Sequence, residues 1–560
     1  MTKVFSFLKS LIKQKYFLIF CLFFVISFIF FQSTFWYQDQ SFFIKSKLWS
    51  DFAAHLPLIR SFSLGDNFSP IEYPFFAGEK ISYHFLFYLG VGLLEKVGFR
   101  IDLALNILSA LGMSLLLTMI IRLGAYFFNF KAGLVAVVLF LFNGSLSWLK
   151  FYENIAPTDL IEFINSLTTQ KHYASFGPWD GGIISAFWNW NIFTNQRHLA
   201  LGLGILLWLV YLFEKKFSTK EIFFSKKELF FTGLLIIILP LFHQASYAFL
   251  GIYLLVKLLS NKNKLTRLII IFFGLVGGFS LLIYQFFGSS FTPIYEFGFL
   301  AKSNNLLDLV NYCFYNFGFY IFFIPLLLLF VFWKKDFKKI RTIYLSGLIV
   351  FILSFLFRFS PDIINNHKFI NIFLLILNIS VAGLLVSAFQ KQSFIKKIGV
   401  SLVFIGLTFS GLVDLFPVLN DTLVVKKDYQ QTEFGNWIVN NTAKNSVFLV
   451  NSYLYNPASL AGRKLYLDYG YFAWSMGYAD RERRNIQQQI FSAAITMPEW
   501  CELMKTEKID YLALDMGEKQ FLLEYKFDQA AFIEFLAPQV FDEVWGVSNT
   551  QLYNVKELCQ

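Results

Sequence analysis

Charge is what this chain has least of. Of its 560 residues, 15% are Asp, Glu, Lys or Arg and 56% are hydrophobic. Soluble domains carry roughly 25% charged residues, so the deficit excludes a chain that is water-soluble throughout and makes lipid its main solvent. Cysteine is nearly as scarce. Cys21 and Cys313 lie in or beside apolar runs, and Cys501 and Cys559 lie in a polar tail. Two cysteines outside the cell leave a disulfide open without requiring one, and no spacing here suits a metal. Several motifs are missing altogether: no GxxxxGK[ST] phosphate loop, no GxGxxG after a strand, no HExxH, no GxSxG and no DxD. An enzyme built from this sequence does not handle a soluble nucleotide, so its reactive substrate is expected to arrive in the bilayer.

What is present is a series of apolar runs. A bilayer core needs about 20 such residues per helix. Candidate spans are 16–35, 101–123, 132–149, 199–213, 229–243, 244–259, 265–287, 309–333, 342–358, 368–389 and 396–417, eleven in all. The first follows a basic stretch from Lys3 to Lys15 in a signal-peptide outline. Bulky residues from Gln32 to Trp36 stand where a cleavage site would need small ones, so it is read as a retained span. The connections alternate in charge. Lys9, Lys13 and Lys15, then Lys131, then Lys215, Lys216, Lys220, Lys226 and Lys227 occupy every second one. Lys262, Lys264 and Arg267, then Lys334, Lys335, Lys338, Lys339 and Arg341, and finally Lys391, Lys396 and Lys397 continue the series. This positive-inside pattern puts the N-terminus in the cytoplasm and the tail outside. It also accounts for the net charge of +11 without a nucleic-acid partner. The stretch His84–Val97 would break the alternation as a span and is expected to lie on the outer surface as an interfacial helix.

The polar residues gather on the outer side. The segments 36–100, 150–198, 288–308 and 359–367 hold His55, His84, His172, His198 and His367, whereas spans contain almost no acid. Transporters coupled to ions usually bury acids near the midplane, so a site at the outer boundary fits better. If 50–56 is helical, Asp51 and His55 share a face, four residues apart, and Pro57 breaks or kinks the helix directly afterwards. Asp51 capping the helix, with His55 as its partner, is the competing structural role. The stretch 70–84 reads as a rigid irregular loop. Arg197 and His198 precede span 199–213 as Asn365, Asn366, His367 and Lys368 precede span 368–389. Cations outside run against the positive-inside rule, and a phosphate held at two helix N-termini would explain them. His243, alone at a span end, fits a packing or turn role. After Pro417 the composition becomes mixed. Strand-like Ser446–Val450, Lys464–Leu467 and Tyr511–Leu514 alternate with helical 429–442, 481–494, 498–507 and 528–536, and final strands fall near 540–545 and 551–555. The chain therefore divides into a transmembrane part, 1–417, and an α/β domain, 418–560. Gly462–Lys464 and Asp480–Arg484 are expected mainly as a solvated charged face.

The segments DFAAHLPLIRSFSLGDNF, YHFLFYLGVGLLEKVG, NQRHLALGLGILL and NNHKFINIFLL resemble those of bacterial members of the GT-C superfamily of polytopic glycosyltransferases. The resemblance covers the architecture of residues 10–417. It implies a GT-C-like α-helical membrane protein with an extracytoplasmic domain in a bacterial cytoplasmic membrane. It also implies transfer of a sugar from a polyprenyl-phosphate donor to a glycan, lipid or protein acceptor. The acid in the first external loop, the family's general base, falls by position on Asp51, with Asp39 next. His55 would orient it, His84 would bind sugar or acceptor, and Arg197, His198, His367 and Lys368 would hold the donor phosphate. Paired acids seen in some members are absent, because Ser50 and Phe52 flank Asp51. No cofactor is expected, although a divalent metal would be compatible. A non-catalytic scaffold or sensor is the alternative from another class.

Overall fold

The structure, a computed structural model, describes residues 15–176, 182–188, 190–218, 224–287, 292–390, 393–451, 454–492, 494–515, 529–536, 545–547 and 550–560. Lys9, Lys13, Lys220, Lys391 and Asn189 lie outside the described residues, as do parts of the segments 150–198 and 288–308.

Among the described residues, seven helices are long and apolar enough to cross a bilayer: Lys15–Gln32, Ile101–Phe127, His198–Phe217, Lys264–Tyr284, Lys335–Leu356, Ile363–Gln390 and Phe394–Leu419. An eighth arises if Leu306–Phe317 and Tyr320–Trp333, bent by 98°, count together. The expected eleven shrink for identifiable reasons. Phe130–Leu141, Lys226–Phe242 and Gln244–Ser260 are helices of 12, 17 and 17 residues, shorter than the roughly 20 residues of a typical span, although Lys226–Phe242 and Gln244–Ser260 still carry the chain from one face to the other and back. The expected span 132–149 ends at Leu141, and a separate helix, Ser147–Ile155, follows Asn143 and Gly144. The expected span 309–333 breaks at Gly318, whose φ of +49° favours glycine. A Cβ there would also lie 3.0 Å from Leu146.

Helix ends sort into two faces. On one, Lys216 pairs with Glu228 at 2.7 Å and Lys257 with Glu214 at 2.8 Å. Residues 197–198, 243 and 367–368, at the other ends, meet on the opposite face. Bundle helices approach through small residues: a Cβ on Gly124 would stand 2.6 Å from the Cα of Gly133. Side chains such as Leu22, Leu268, Leu275 and Leu402 are exposed on the bundle's flanks, as lipid-facing residues would be.

On the second face sits an assembly with its own core. The hairpin Phe35–Gln38 and Ser41–Lys45 is joined antiparallel by Leu423–Lys427 from beyond the last span. That strand therefore belongs with the first loop rather than with the rest of the tail. The remainder of the tail forms a five-stranded mixed sheet in which Val447–Val450 runs parallel to Tyr511–Asp515 and to Lys464–Leu465. Thr550–Asn554 pairs antiparallel with Tyr511–Asp515, and Trp545–Val547 completes the edge. Helices Glu433–Asn441, Asp480–Phe491, Met497–Thr506 and Gln529–Leu536 alternate with the strands as the sequence pattern requires. Cys501 and Cys559 form a disulfide with Cα atoms 5.5 Å apart.

The helix from the first loop runs Trp49–Ser63, straight through Pro57. Proline removes one helix hydrogen bond, but Phe52, Leu56, Leu58, Ile59 and Phe62 are all at most 1% exposed, and their burial holds the segment helical. The stretch 70–84 contains a short hairpin, Glu72–Tyr73 with Phe76–Lys80, rather than an irregular loop alone. The helix Leu86–Lys96 packs one side, with Phe87, Tyr88, Val91 and Gly92, into this assembly and leaves Leu93 exposed, beside exposed Val97 and Phe99. Arg463 and Arg483 depart from the expected solvated face. Arg463 is 1% exposed and donates to the Thr442 hydroxyl and to backbone carbonyls. Arg483 ties the tail to the hairpin by donating to the carbonyls of Tyr466 and Ala77, both at 2.7 Å.

Candidate active site

Asp51 lies in the first turn of the Trp49–Ser63 helix, where the helix dipole favours a carboxylate. Its neighbours Phe52 and Ala53 are buried, whereas Asp51 keeps accessible surface although protein surrounds it. Asp51 is thus half-buried at the start of a helix whose next residues are in the core. Among the described residues it makes no hydrogen bond or ion pair. Lys368 is the cation within its electrostatic reach, and Tyr83, Tyr88, Tyr455 and Tyr471 face it as well. Burial raises its pKa to about 6, with Lys368 pulling the other way.

Lys368 donates to Asn365 Oδ1 at 3.0 Å. Asp362, one turn earlier, accepts from the Tyr471 hydroxyl at 2.7 Å, so the tail reaches this rim too. Tyr455, also in the tail, donates to the carbonyl of Trp49 and fixes the start of the Asp51 helix.

Behind Asp51 is a packed group of imidazoles. The His84 ring lies 4.1 Å from that of His198 and 6.1 Å from that of His243, and His55 lies 6.4 Å from His198. The Tyr88 hydroxyl and His198 Nδ1 are 2.9 Å apart, and Ser246 Oγ and His243 Nδ1 are 2.6 Å apart. His55 Nδ1, both nitrogens of His84, and Nε2 of His198 and His243 are buried without a hydrogen-bond partner. Burial, then the charges of Arg197 and Lys368, push His55 down to about 3. Burial, then Lys368 and the neighbouring imidazoles, push His84 well below the ordinary range. Both are neutral at physiological pH. No group of three or more His, Cys, Asp or Glu among the described residues is arranged to hold a metal ion.

The structure therefore brings Asp51 and Lys368 together and packs His55, His84 and His198 beside them. It separates other expected partners. No bond joins Asp51 to His55, because His55 turns its ring onto Tyr88, 4.6 Å away. Arg197, expected on the lipid-facing side of the cavity, is 1% exposed. It donates to the Thr194 carbonyl at 2.6 Å, Thr34 Oγ1 at 2.8 Å and Asn106 Oδ1 at 3.3 Å, with Phe31 and Phe52 against its guanidinium. It clamps the Asp51 helix to the bundle. His367 stacks on Phe187 at 5.5 Å and meets the Asn371 amide at 3.2 Å instead of facing the cluster. Asp39 occupies an exposed hairpin turn at φ 48°.

Sequence reasoning missed His243, Tyr83, Tyr88, Asp362, Tyr455 and Tyr471. His243 carried one usable signal, the helix break after Pro240. Gly202 permits its approach, since a Cβ there would lie 2.5 Å from that of His243.

No protein-family model matches the chain, and no curated protein matches it in sequence. Solved structures similar to it are membrane oligosaccharyltransferases of the GT-C superfamily. One is the Archaeoglobus fulgidus oligosaccharyltransferase in complex with Zn and sulfate, at 11% identity and a TM-score of 0.47 over 88% of this chain and 68% of that one. Another is AglB from the same organism with an inhibitory peptide and a dolichol-phosphate, at 11% identity and 0.43 over 89% and 69%. The apo form of the first gives 12% and 0.42 over 90% and 70%. At this distance the likeness is one of chain path alone.

Proposed function

We propose that the chain is a membrane glycosyltransferase that moves a sugar from a polyprenyl-phosphate carrier to an acceptor hydroxyl at the outer face of the cytoplasmic membrane. The observation that carries this reading is a half-buried carboxylate, Asp51, with no hydrogen bond or ion pair among the described residues and one lysine, Lys368, within electrostatic reach. Asp51 accepts the proton of the acceptor hydroxyl as its oxygen bonds to the anomeric carbon. The bond from that carbon to the phosphate oxygen breaks, and the electron pair leaves with the phosphate, whose charge Lys368 offsets. His84 and His198 offer hydrogen bonds to the donor through ring nitrogens that have no partner among the described residues. Arg197 positions the Asp51 helix rather than touching the donor. The basic face carrying Lys131, Lys216 and Lys339 is the cytoplasmic one by the positive-inside rule.

The test is Asp51→Asn in a transfer assay with polyprenyl-phosphate sugars. The amide keeps the size of the carboxylate and loses its basicity, so the rate should drop roughly 10²–10⁴-fold in a folded protein. Transfer at the wild-type rate would remove Asp51 as the base. A wild-type protein inert toward every lipid-linked donor would favour a scaffold.

A further inference from the structure

We infer that the Gly470–Ser475 helix of the tail provides an aromatic subsite that binds a sugar ring of the acceptor, making the acceptor of this transferase a glycan. The proposal rests on the reading of Asp51 above. Tyr471 and Trp474 are one helical turn apart, with ring centroids 5.8 Å apart and planes inclined at 42°. They are 43% and 42% exposed, in a tail whose other large aromatics are mostly buried among the described residues. Tyr469 adds a third ring 5.8 Å from Tyr471. The pair is held in place, since the Tyr471 hydroxyl donates to Asp362 at 2.7 Å. It is also at the site, because Tyr471 lies within electrostatic reach of Asp51 and Asp362 within that of Lys368.

The rim decides the class of occupant. Asp362 flanks the rings on one side, and Asp480, paired with Arg484 at 3.0 Å, closes the other, with Arg484 packed over Gly470. An apolar partner would strip water from these charges at a cost. An anionic lipid would confront Asp51 and Asp362. A pyranose ring matches both parts, with C–H faces for the aromatic planes and equatorial hydroxyls for the carboxylates and guanidinium. Its reacting hydroxyl would then point toward Asp51. Interfacial anchoring is the other use of exposed Tyr and Trp in membrane proteins, and it predicts no sugar binding.

The experiment measures binding without donor, on the full chain in nanodiscs, by saturation-transfer NMR and tryptophan fluorescence. Probes are maltotriose, chitotriose and trigalacturonate, with a Gly-Ser peptide of similar mass. At least one trisaccharide should bind, and Trp474→Ala should weaken it about tenfold, one aromatic contact's worth, whereas Trp474→Phe should restore most of it. In transfer, Trp474→Ala should raise the acceptor KM and leave kcat nearly unchanged. Binding of the peptide alone, of no trisaccharide, or of a trisaccharide equally well by Trp474→Ala would each overturn the subsite. Sugar binding that depends on Trp474, together with no transfer by the wild type, would spare the subsite and remove the transferase reading instead.

Discussion

The pH dependence of transfer offers a quantitative check on the Asp51 environment. Burial outweighs the pull of Lys368 and sets the carboxyl near pH 6 instead of the ordinary 3.8. The ionised form is the base, so kcat/KM should rise with pH through about 6 and level off above it. Between pH 7 and pH 5 the ionised fraction falls about tenfold, whereas an unshifted carboxylate would lose under about a tenth of its base form. Lys368→Gln removes the cation that favours ionisation, so its inflection should move to higher pH as its plateau falls. His55, pushed by burial down to about 3, should contribute no second limb. The folding equilibrium moves oppositely. A folded carboxyl that binds its proton more tightly than the unfolded chain makes the fold less stable as pH rises from about 4 to about 6. The assay is initial-rate transfer in nanodiscs at constant ionic strength from pH 4.5 to 8. A flat profile would refute the burial of the Asp51 carboxyl, and an Asp51→Asn protein with the wild-type inflection would refute the assignment of that inflection.

Three further outcomes follow from packing and topology. Arg197→Ala removes donors to Thr34, Asn106 and the Thr194 carbonyl and should lower stability by roughly 3–5 kcal/mol, measured as a fall in melting temperature; a stable variant with weakened donor binding would return Arg197 to the phosphate. Gly202→Val drives a side chain into His243 and should depress transfer more than Gly251→Ala, where a Cβ meets nothing within 4 Å; equal activities would show that His243 is not needed. Reporter fusions after residues 225, 336 and 393 should read as cytoplasmic and those after 170, 300 and 430 as external, and a cytoplasmic signal after 430 would invert the site.

The bundle was legible because lipid imposes one rule, long apolar runs with basic residues at alternate ends. The elements that failed did so where single residues act on the chain. Asn143 and Gly144 end a helix inside an apolar run, Gly318 bends another, and Pro57 is carried by a core that local reading cannot see. The tail's alternation of strand and helix was visible because each strand is short and bounded by turn residues. At the site, Asp51 and Lys368 stood out as charges beside apolar sequence. Tyr471 and Asp362 did not, because they come together only when segments 109 residues apart meet. Arg197 misled for a related reason. Two of its three neutral acceptors lie 91 and 163 residues away, so a cation without a nearby acid looked available when its fork was already filled.

The strand Leu423–Lys427 pairs with Ser41–Lys45, and Asp428 behind it accepts from Arg60 at 2.6 Å across 368 residues. This pairing sets an order of events during biosynthesis. The hairpin and the Asp51 helix emerge early, and Glu95 soon follows to pair with Arg60 at 3.4 Å, yet the strand that completes their sheet and Asp428, the second acid on Arg60, are made only after every span. The early loop must therefore wait, incompletely paired, while the bundle inserts, and closing so distant a contact is slow. A chain stalled before residue 423 lacks the third strand of this sheet and the Arg60–Asp428 pair, so the packing around the Trp49–Ser63 helix stays incomplete until the last segment is made.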